Sequence, residues 1–112
     1  MERRRRTRHT VEWIVQYSLG ASVEWQRCRL VDLAKTGATI EPFNLTDNSA
    51  SGEVALRFQL PEDIAGPFAI LGDIRHMTQI AEGRVRLGIE FRNLSTRDVM
   101  LLDVVARSHS FA

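Results

Sequence analysis

The sequence is short of cysteine and of long apolar runs, and each shortage narrows the class of protein. Its single cysteine, Cys28, cannot form an internal disulfide, so a secreted, disulfide-stapled scaffold is not indicated and a reducing cytoplasm is the expected compartment. No stretch approaches the roughly 18 apolar residues that a membrane-spanning helix requires. We therefore expect no membrane span, and we interpret Cys28 as a half-buried strand residue rather than a reactive thiol.

The residue combinations of common catalytic and metal sites are also missing. The sequence shows no nucleophile paired with a base, no paired-acid motif and no phosphate loop of the Gly-x-x-x-x-Gly-Lys type. The histidines, His9, His76 and His109, lie far apart and have no cysteine or histidine partner at metal-binding spacing. We therefore expect neither an enzyme nor a metal site, and no cofactor.

What the sequence does contain is enough apolar residues for one core and an uneven distribution of charge. At 112 residues with 44% hydrophobic content, it is long enough for one domain and too short for two. The net charge is +1, but residues 3–8 hold five of the 15 basic residues and leave the remainder acidic. Positive charge concentrated on an arm favours a local anion-binding element over a broadly basic face, so no nucleic acid partner is expected.

Most of the chain has the two-residue alternation of β-strands. The clearest case is the last, where Val85, Leu87 and Ile89 face one way and Arg84, Arg86, Gly88 and Glu90 the other. In the second strand region the apolar phase shifts, which predicts a bulge or twist, and the two tryptophans are assigned to the core. The expected strands are approximately Val11 to Tyr17, Val23 to Leu33, Ala38 to Glu41, Gly52 to Gln59, Phe68 to Met77 and Arg84 to Phe91, with a loop from Asn44 to Ser51.

The period changes after Asn93, where a helix is predicted over about residues 95–108. Ser95 is a suitable N-cap, and Asp98 three residues later completes a capping box. The predicted docking stripe consists of Val99, Leu102, Val105 and Ala106, and it is widened by Met100, Leu101 and Val104. A self-association surface, giving a weak homodimer, and a helix buried on two sides explain this width equally well. Strands followed by one helix favour a small antiparallel barrel with the helix packed on it.

Two short segments carry the functional signal. The first is the basic run Arg3-Arg4-Arg5-Arg6-Thr7-Arg8, and the second, after the first predicted hairpin, is Asp32-Leu33-Ala34-Lys35-Thr36-Gly37. Guanidinium groups pair with phosphate and guanine, while the second segment supplies an acidic acceptor and a glycine turn. Together with the closing strand Leu87-Gly88-Ile89-Glu90-Phe91, their order and spacing resemble the PilZ domain, the bacterial receptor module for cyclic di-GMP.

The resemblance covers nearly the whole chain and implies both a fold and a ligand. The implied fold is a six-stranded antiparallel β-barrel with a C-terminal α-helix, and the implied ligand is cyclic di-GMP. Residues 1–9 would then be a flexible basic arm and residues 10–112 the barrel and helix of a single domain. A cytoplasmic bacterial protein in second-messenger signalling is the expected setting.

The resemblance also implies which residues bind the nucleotide. The family's Arg-x-x-x-Arg motif is matched by Arg4 and Arg8, and its Asp/Asn-x-Ser-x-x-Gly motif by Asp32 and Gly37. Ala34 stands where the family has serine, whose hydroxyl can bond phosphate or brace the turn. The complete implied set is Arg3, Arg4, Arg5, Arg8, Asp32, Ala34 and Gly37, with Arg3 and Arg5 as auxiliary contacts.

Three functions follow from these motifs. The first is a receptor that orders its arm over cyclic di-GMP and signals through an effector protein. The second is a degenerate adaptor that has lost the nucleotide with the serine and acts by protein contacts alone. The third is nucleic-acid binding by the arm, which the acidic remainder of the chain disfavours.

Overall fold

The computed structural model describes residues 9–20, 24–43 and 52–109. The predicted arm and the predicted loop from Asn44 to Ser51 therefore lie outside the described residues, apart from His9. Each expected strand is present, and the fifth is longer than its alternation indicated. The elements are β1 (His9–Leu19), β2 (Gln26–Ala34), β3 (Gly37–Pro42), β4 (Gly52–Gln59), β5 (Pro67–Ala81), β6 (Arg84–Phe91) and α1 (Thr96–His109).

The strands close into an antiparallel barrel in the order β1-β2-β3-β6-β5-β4. The predicted fold class, a six-stranded antiparallel barrel with a C-terminal helix, is confirmed. Closure of the barrel brings β6 beside β3, although the two strands are far apart in sequence. Thr39 lies opposite Gly88, and Ile40 lies opposite Leu87. This non-sequential pairing decides which polar residues meet on the outer face.

Alternating side chains of all six strands fill the interior. On β4 the buried residues are Val54, Leu56 and Phe58, as the alternation predicts, and on β6 they are Val85, Leu87, Ile89 and Phe91. The ring of Phe58 stacks on that of Phe68 with 5.2 Å between centroids. Burying a large apolar side chain contributes about 1.5–3 kcal/mol, so this core provides most of the driving force for folding.

A β-bulge at Val31 confirms the predicted phase shift in the second strand. Leu30 lies opposite Ile40, but the next paired residue of β2 is Asp32, opposite Thr39, so β2 has one residue more than β3 here. Without the extra residue, Asp32 would have the inward direction of Leu30, because side chains alternate along a strand. The bulge therefore turns the Asp32 carboxylate to the outer face and returns Leu33 to the core, where it is 1% exposed.

The helix begins with the predicted capping box. The backbone N–H of Asp98 donates to Ser95 Oγ, and that of Ser95 donates to Asp98 Oδ2, each over 3.0 Å. The helix packs against β1 and buries Leu101, Leu102, Val105 and Ala106. The prediction that Val99 belongs to the docking stripe was wrong, because Val99 is exposed in the first turn, as is Met100.

Two further sequence interpretations need correction. Cys28 is fully buried rather than half-buried, and burial raises the pKa of its thiol to about 12. Trp13 is partly buried against the core, near Phe58, as expected. Trp25, however, is half-buried beside the guanidinium of Arg57, which lies 5.7 Å from its ring centroid. Trp25 is thus a surface stacking partner and not a core residue.

Candidate functional site

One row of polar residues crosses four strands on the outer face of the barrel. Asp32 on β2 lies opposite Thr39 on β3, which lies opposite Gly88 on β6, which lies opposite His76 on β5. Paired residues of neighbouring antiparallel strands point to the same face of a sheet. The bulge at Val31 places the carboxylate at one end of the row, and the imidazole of His76 covers Gly88 at the other.

The hairpin that follows Asp32 carries the other two described residues of the predicted site. Ala34 lies opposite Gly37 and, by alternation, shares the outward direction of Asp32. Its methyl group is nevertheless only 5% exposed, and it lies outside the contiguous core. A hydroxyl at position 34 would therefore point to the same side of the barrel as the Asp32 carboxylate, into an enclosed position.

Gly37 is required by a close backbone contact rather than by a turn. A Cβ atom at this position would overlap the carbonyl oxygen of Ile89 on β6. The backbone N–H of Phe91 donates to Thr36 O over 2.9 Å and fixes the hairpin against that strand. The sequence motif predicts a glycine turn at this position, whereas in the structure Gly37 lets β3 and β6 approach each other.

The arginine arm joins the barrel beside this hairpin. Arg3, Arg4, Arg5 and Arg8 lie outside the described residues, so their contacts are not described. The chain that follows them is described: His9 lies opposite Leu33 and Thr10 lies opposite Asp32 at the start of β1. The backbone register thus brings the end of the arm next to Asp32, although two dozen residues separate them in sequence.

Three arginines and a glutamate that the sequence motifs did not single out lie together on the same outer face, and we call them the Glu41 cluster: Arg29, Glu41, Arg84 and Arg86. Arg84 Nε donates to Glu41 Oε2 over 2.7 Å, and Arg84 Nη2 and Arg29 Nη2 donate to Oε1 over 3.1 and 2.8 Å. Arg86 Nε lies 3.6 Å from Oε1. Three guanidinium groups surround one carboxylate, so the cluster carries a formal charge of +2.

The electrostatics of the Glu41 cluster follow from this geometry. The Glu41 side chain is only 10% exposed, whereas those of Arg84 and Arg86 are 53% and 36% exposed. The hydrogen bond from Arg84 is the largest cause of a lowered pKa; together with Arg29 it outweighs the opposing effect of burial, and the pKa of Glu41 falls to about 2. The Glu41 carboxylate therefore stays ionised below the arginine side chains, and the positive charge of Arg84 and Arg86 faces the solvent.

The sequence held part of the signal for this cluster. Alternation on the last strand already placed Arg84, Arg86 and Gly88 on one polar face. What was missing was the register between β3 and β6, which brings Glu41 to them across a gap of more than forty residues. Within the described ranges no group of three His, Cys, Asp or Glu residues is arranged to hold a metal ion.

Among residues 9–20, 24–43 and 52–109, no helix is long and apolar enough to cross a membrane.

Comparison with curated proteins gives no significant match. Solved structures, in contrast, resemble the barrel closely, although at sequence identities that speak for the fold alone.

Three of these structures show the range of the likeness. The PilZ domain of YcgR from Escherichia coli with c-di-GMP superposes with a TM-score of 0.71 at 19% identity, over 96% of this chain and 92% of that one. The inhibitor of motility MotI/DgrA from Bacillus subtilis gives 0.68 at 14% identity, over 96% of this chain and 51% of that one. The K. pneumonia MrkH complex with c-di-GMP gives 0.57 at 16% identity, over 96% and 54%.

The chain therefore spans about half the length of the second and third of these proteins. Solved structures at such low identity do not establish the family, but a match to a family model does. The model of the PilZ domain matches residues 2–106, a range that includes the arginine run, the Asp32 hairpin and most of the helix. This protein belongs to the PilZ domain family.

Proposed function

We propose that this protein is a receptor for cyclic di-GMP that binds the nucleotide between its arginine arm and the outer face of β2 and β3. One observation carries the proposal. In a chain of the PilZ family, the strand that continues the arm begins beside the Asp32 hairpin, with His9 opposite Leu33 and Thr10 opposite Asp32. The residue that follows the arginine run and the Asp32 hairpin, distant in sequence, thus lie on neighbouring strands, which supports one shared site for the two motifs.

The residue types fit the two functional groups of the ligand. Cyclic di-GMP presents two phosphates and two guanines. Arg4 and Arg8 can pair bidentately with the O6 and N7 edge of guanine, bond to phosphate and stack on a purine. Asp32 can accept hydrogen bonds from guanine N1–H and from the N2 amino group, the edge that the arginines leave free. Arg3 and Arg5 are auxiliary phosphate contacts.

Ala34 sets the expected strength of binding. Where the family has a serine hydroxyl, this chain offers a methyl group in an enclosed position. The loss of one hydrogen bond to a charged group costs about 1.5–3 kcal/mol, which corresponds to about tenfold to a hundredfold in affinity. We therefore propose a working site of reduced affinity, in which the arginine-rich arm supplies most of the binding energy.

The proposed output is protein contact and not catalysis. Binding orders the arm over the nucleotide and changes the surface that the barrel offers to an effector protein. The structural relatives that carry c-di-GMP support the ligand, and the effector and the cytoplasmic setting follow from the sequence interpretation. A weak homodimer through the exposed Met100 side of the helix stays a prediction of the same kind.

Titration calorimetry tests the proposal directly. The wild-type protein is titrated with cyclic di-GMP beside an Arg4→Ala, Arg8→Ala double variant, and we expect saturable heat from the first and none from the second. Arg97→Ala, Arg107→Ala removes two arginines from the helix and serves as the control for net charge. Absence of heat from the wild type at about 100 μM ligand would reject the proposal, because a Kd above that concentration corresponds to less than about 5.5 kcal/mol of binding free energy.

The degenerate adaptor is the second candidate, and Ala34 is the observation that favours it. Restoring the family residue with Ala34→Ser separates the two. A working receptor gains about tenfold in affinity on top of measurable wild-type binding, since one hydrogen bond to phosphate is added. A degenerate adaptor instead shows no wild-type binding, with affinity appearing only in the Ala34→Ser variant.

A further inference from the structure

The same three strands carry two rows of side chains on the outer face. Asp32, Thr39 and Gly88 form one row across β2, β3 and β6. Arg29, Glu41 and Arg86 form the next row on the same strands, since Glu41 and Arg86 each lie two residues from the first row. Two residues of a strand span about 7 Å, so the Glu41 cluster lies within the reach of one nucleotide from Asp32.

We propose that the Glu41 cluster is a phosphate-binding subsite of the cyclic di-GMP site, with the Arg86 and Arg84 guanidinium groups contacting a ligand phosphate. This subsite rests on the proposed function and names residues beyond the two sequence motifs. Its first support is excess charge: one carboxylate faces three guanidinium groups, and the carboxylate is the buried member.

The second support is the unequal use of the guanidinium donors. Arg84 and Arg29 donate hydrogen bonds to the Glu41 carboxylate, and these bonds hold the two guanidinium groups in place. Arg86 Nε lies 3.6 Å from the carboxylate and makes no hydrogen bond within the described part of the chain. That atom is buried beside Glu41, but the Arg86 side chain as a whole is 36% exposed. Its remaining guanidinium N–H groups can therefore serve a phosphate, which guanidinium groups bind through two parallel hydrogen bonds.

The third support is the direction of the local field. On the other side of the Asp32 row, Gly37 lies opposite Glu90, and Glu90 lies opposite Asp73. These carboxylates are shared with Arg75 and Arg92, so that side has no comparable excess of positive charge. A dianionic ligand lying over Asp32 and Thr39 is thus drawn towards Arg86 rather than towards Glu90.

Two substitutions with opposite expected signs test the subsite. Arg86→Gln removes a charge and a phosphate donor, and we expect it to weaken cyclic di-GMP binding about tenfold in calorimetry. Glu41→Gln keeps the size of the side chain but raises the charge of the cluster by one unit, and we expect it to strengthen binding about threefold, the Coulomb effect of one charge about 7 Å away in water. If the cluster only stabilised the barrel, no such reversal of sign would occur.

Controls separate the possible failures. Arg107→Gln removes an arginine paired with Asp103 on the helix and is expected to bind like the wild type. If the wild type binds and Arg86→Gln matches Arg107→Gln, the subsite is wrong while the receptor function stands. If the wild type does not bind, both are wrong. Should Glu41→Gln fail to fold by circular dichroism, Arg84→Gln takes its place, with an expected loss similar to that of Arg86→Gln.

Salt gives a second readout. Because ionic strength screens exposed charges, wild-type affinity should fall between about 0.05 and 0.5 M NaCl. In Arg86→Gln the fall should be smaller, since one charge has left the site. An equal salt dependence in the two proteins would contradict a contact between Arg86 and phosphate.

Discussion

At the scale of single residues, Gly37 belongs to the proposed binding motif and is also needed for the close approach of β3 and β6. The position faces the carbonyl oxygen of Ile89 so closely that no side chain fits without movement of two strand backbones. Gly37→Ala should therefore destabilise the protein by about 3 kcal/mol, near the upper end of overpacking costs. Urea denaturation followed by circular dichroism measures this loss.

Gly88→Ala is the matched control for that substitution. Its Cβ would meet His76 Cδ2 at 3.3 Å, a side chain that can move, instead of a backbone carbonyl. We expect a cost below about 1 kcal/mol, within the range of tolerated surface changes. Equal losses in the two variants would show that the approach of β3 to β6 is not what requires glycine at position 37.

Glu41 makes part of the stability depend on pH. Its folded-state pKa of about 2 lies below the ordinary value of 4.5, so the folded form releases the proton more readily than the unfolded chain. The resulting stabilisation is complete above about pH 4.5 and is lost as the pH falls towards 2. We expect the free energy of unfolding to decline over this window, and to decline less in Glu41→Gln.

Glu82→Gln provides the comparison, because Glu82 is exposed in the turn between β5 and β6. This variant should retain the wild-type decline below pH 4.5. A Glu41→Gln protein with the same pH profile as the wild type would show that the arginines do not act on that carboxylate in solution.

At the scale of elements, the capping box fixes where the helix starts and therefore which face reaches β1. The reciprocal bonds between Ser95 and Asp98 satisfy backbone N–H groups that the first turn leaves without helical partners. Ser95→Ala should cost about 1 kcal/mol in thermal or urea unfolding. Ser108→Ala, an exposed position in the last turn, should not destabilise the protein, because alanine has the higher helix propensity; a similar loss there would show that the cost at Ser95 is not specific to the cap.

The helix also shows why sequence patterns predict elements better than their contacts. Its start was predictable from Ser95 and Asp98, because capping is a local interaction. The docking face was not: Leu101 is buried and Val99 is exposed, although both are apolar and the predicted stripe was wide enough to include either. The angle at which the helix meets β1 decides between them, and that angle depends on the barrel.

At the scale of the whole molecule, the barrel and the Asp32 hairpin were predictable from alternation and motif. The outward direction of Asp32 needed the exact place of the bulge, since a shift by one residue reverses every side chain after it. The Glu41 cluster needed more, because β3 meets β6 only on closure of the barrel. Long-range register is set by the packing of the whole core, and no local pattern encodes it.

The pairing of β1 has one consequence for the way in which the barrel opens. Its bonds to β2 cover His9 to Tyr17, whereas the described pairing with β4 covers Gln16 to Leu19. Within the described residues, the first half of β1 is therefore paired with β2 alone. Its amide protons that point away from β2 should exchange with deuterated solvent faster than those of Gln16 to Leu19. Under the proposed receptor function, addition of cyclic di-GMP should slow this exchange.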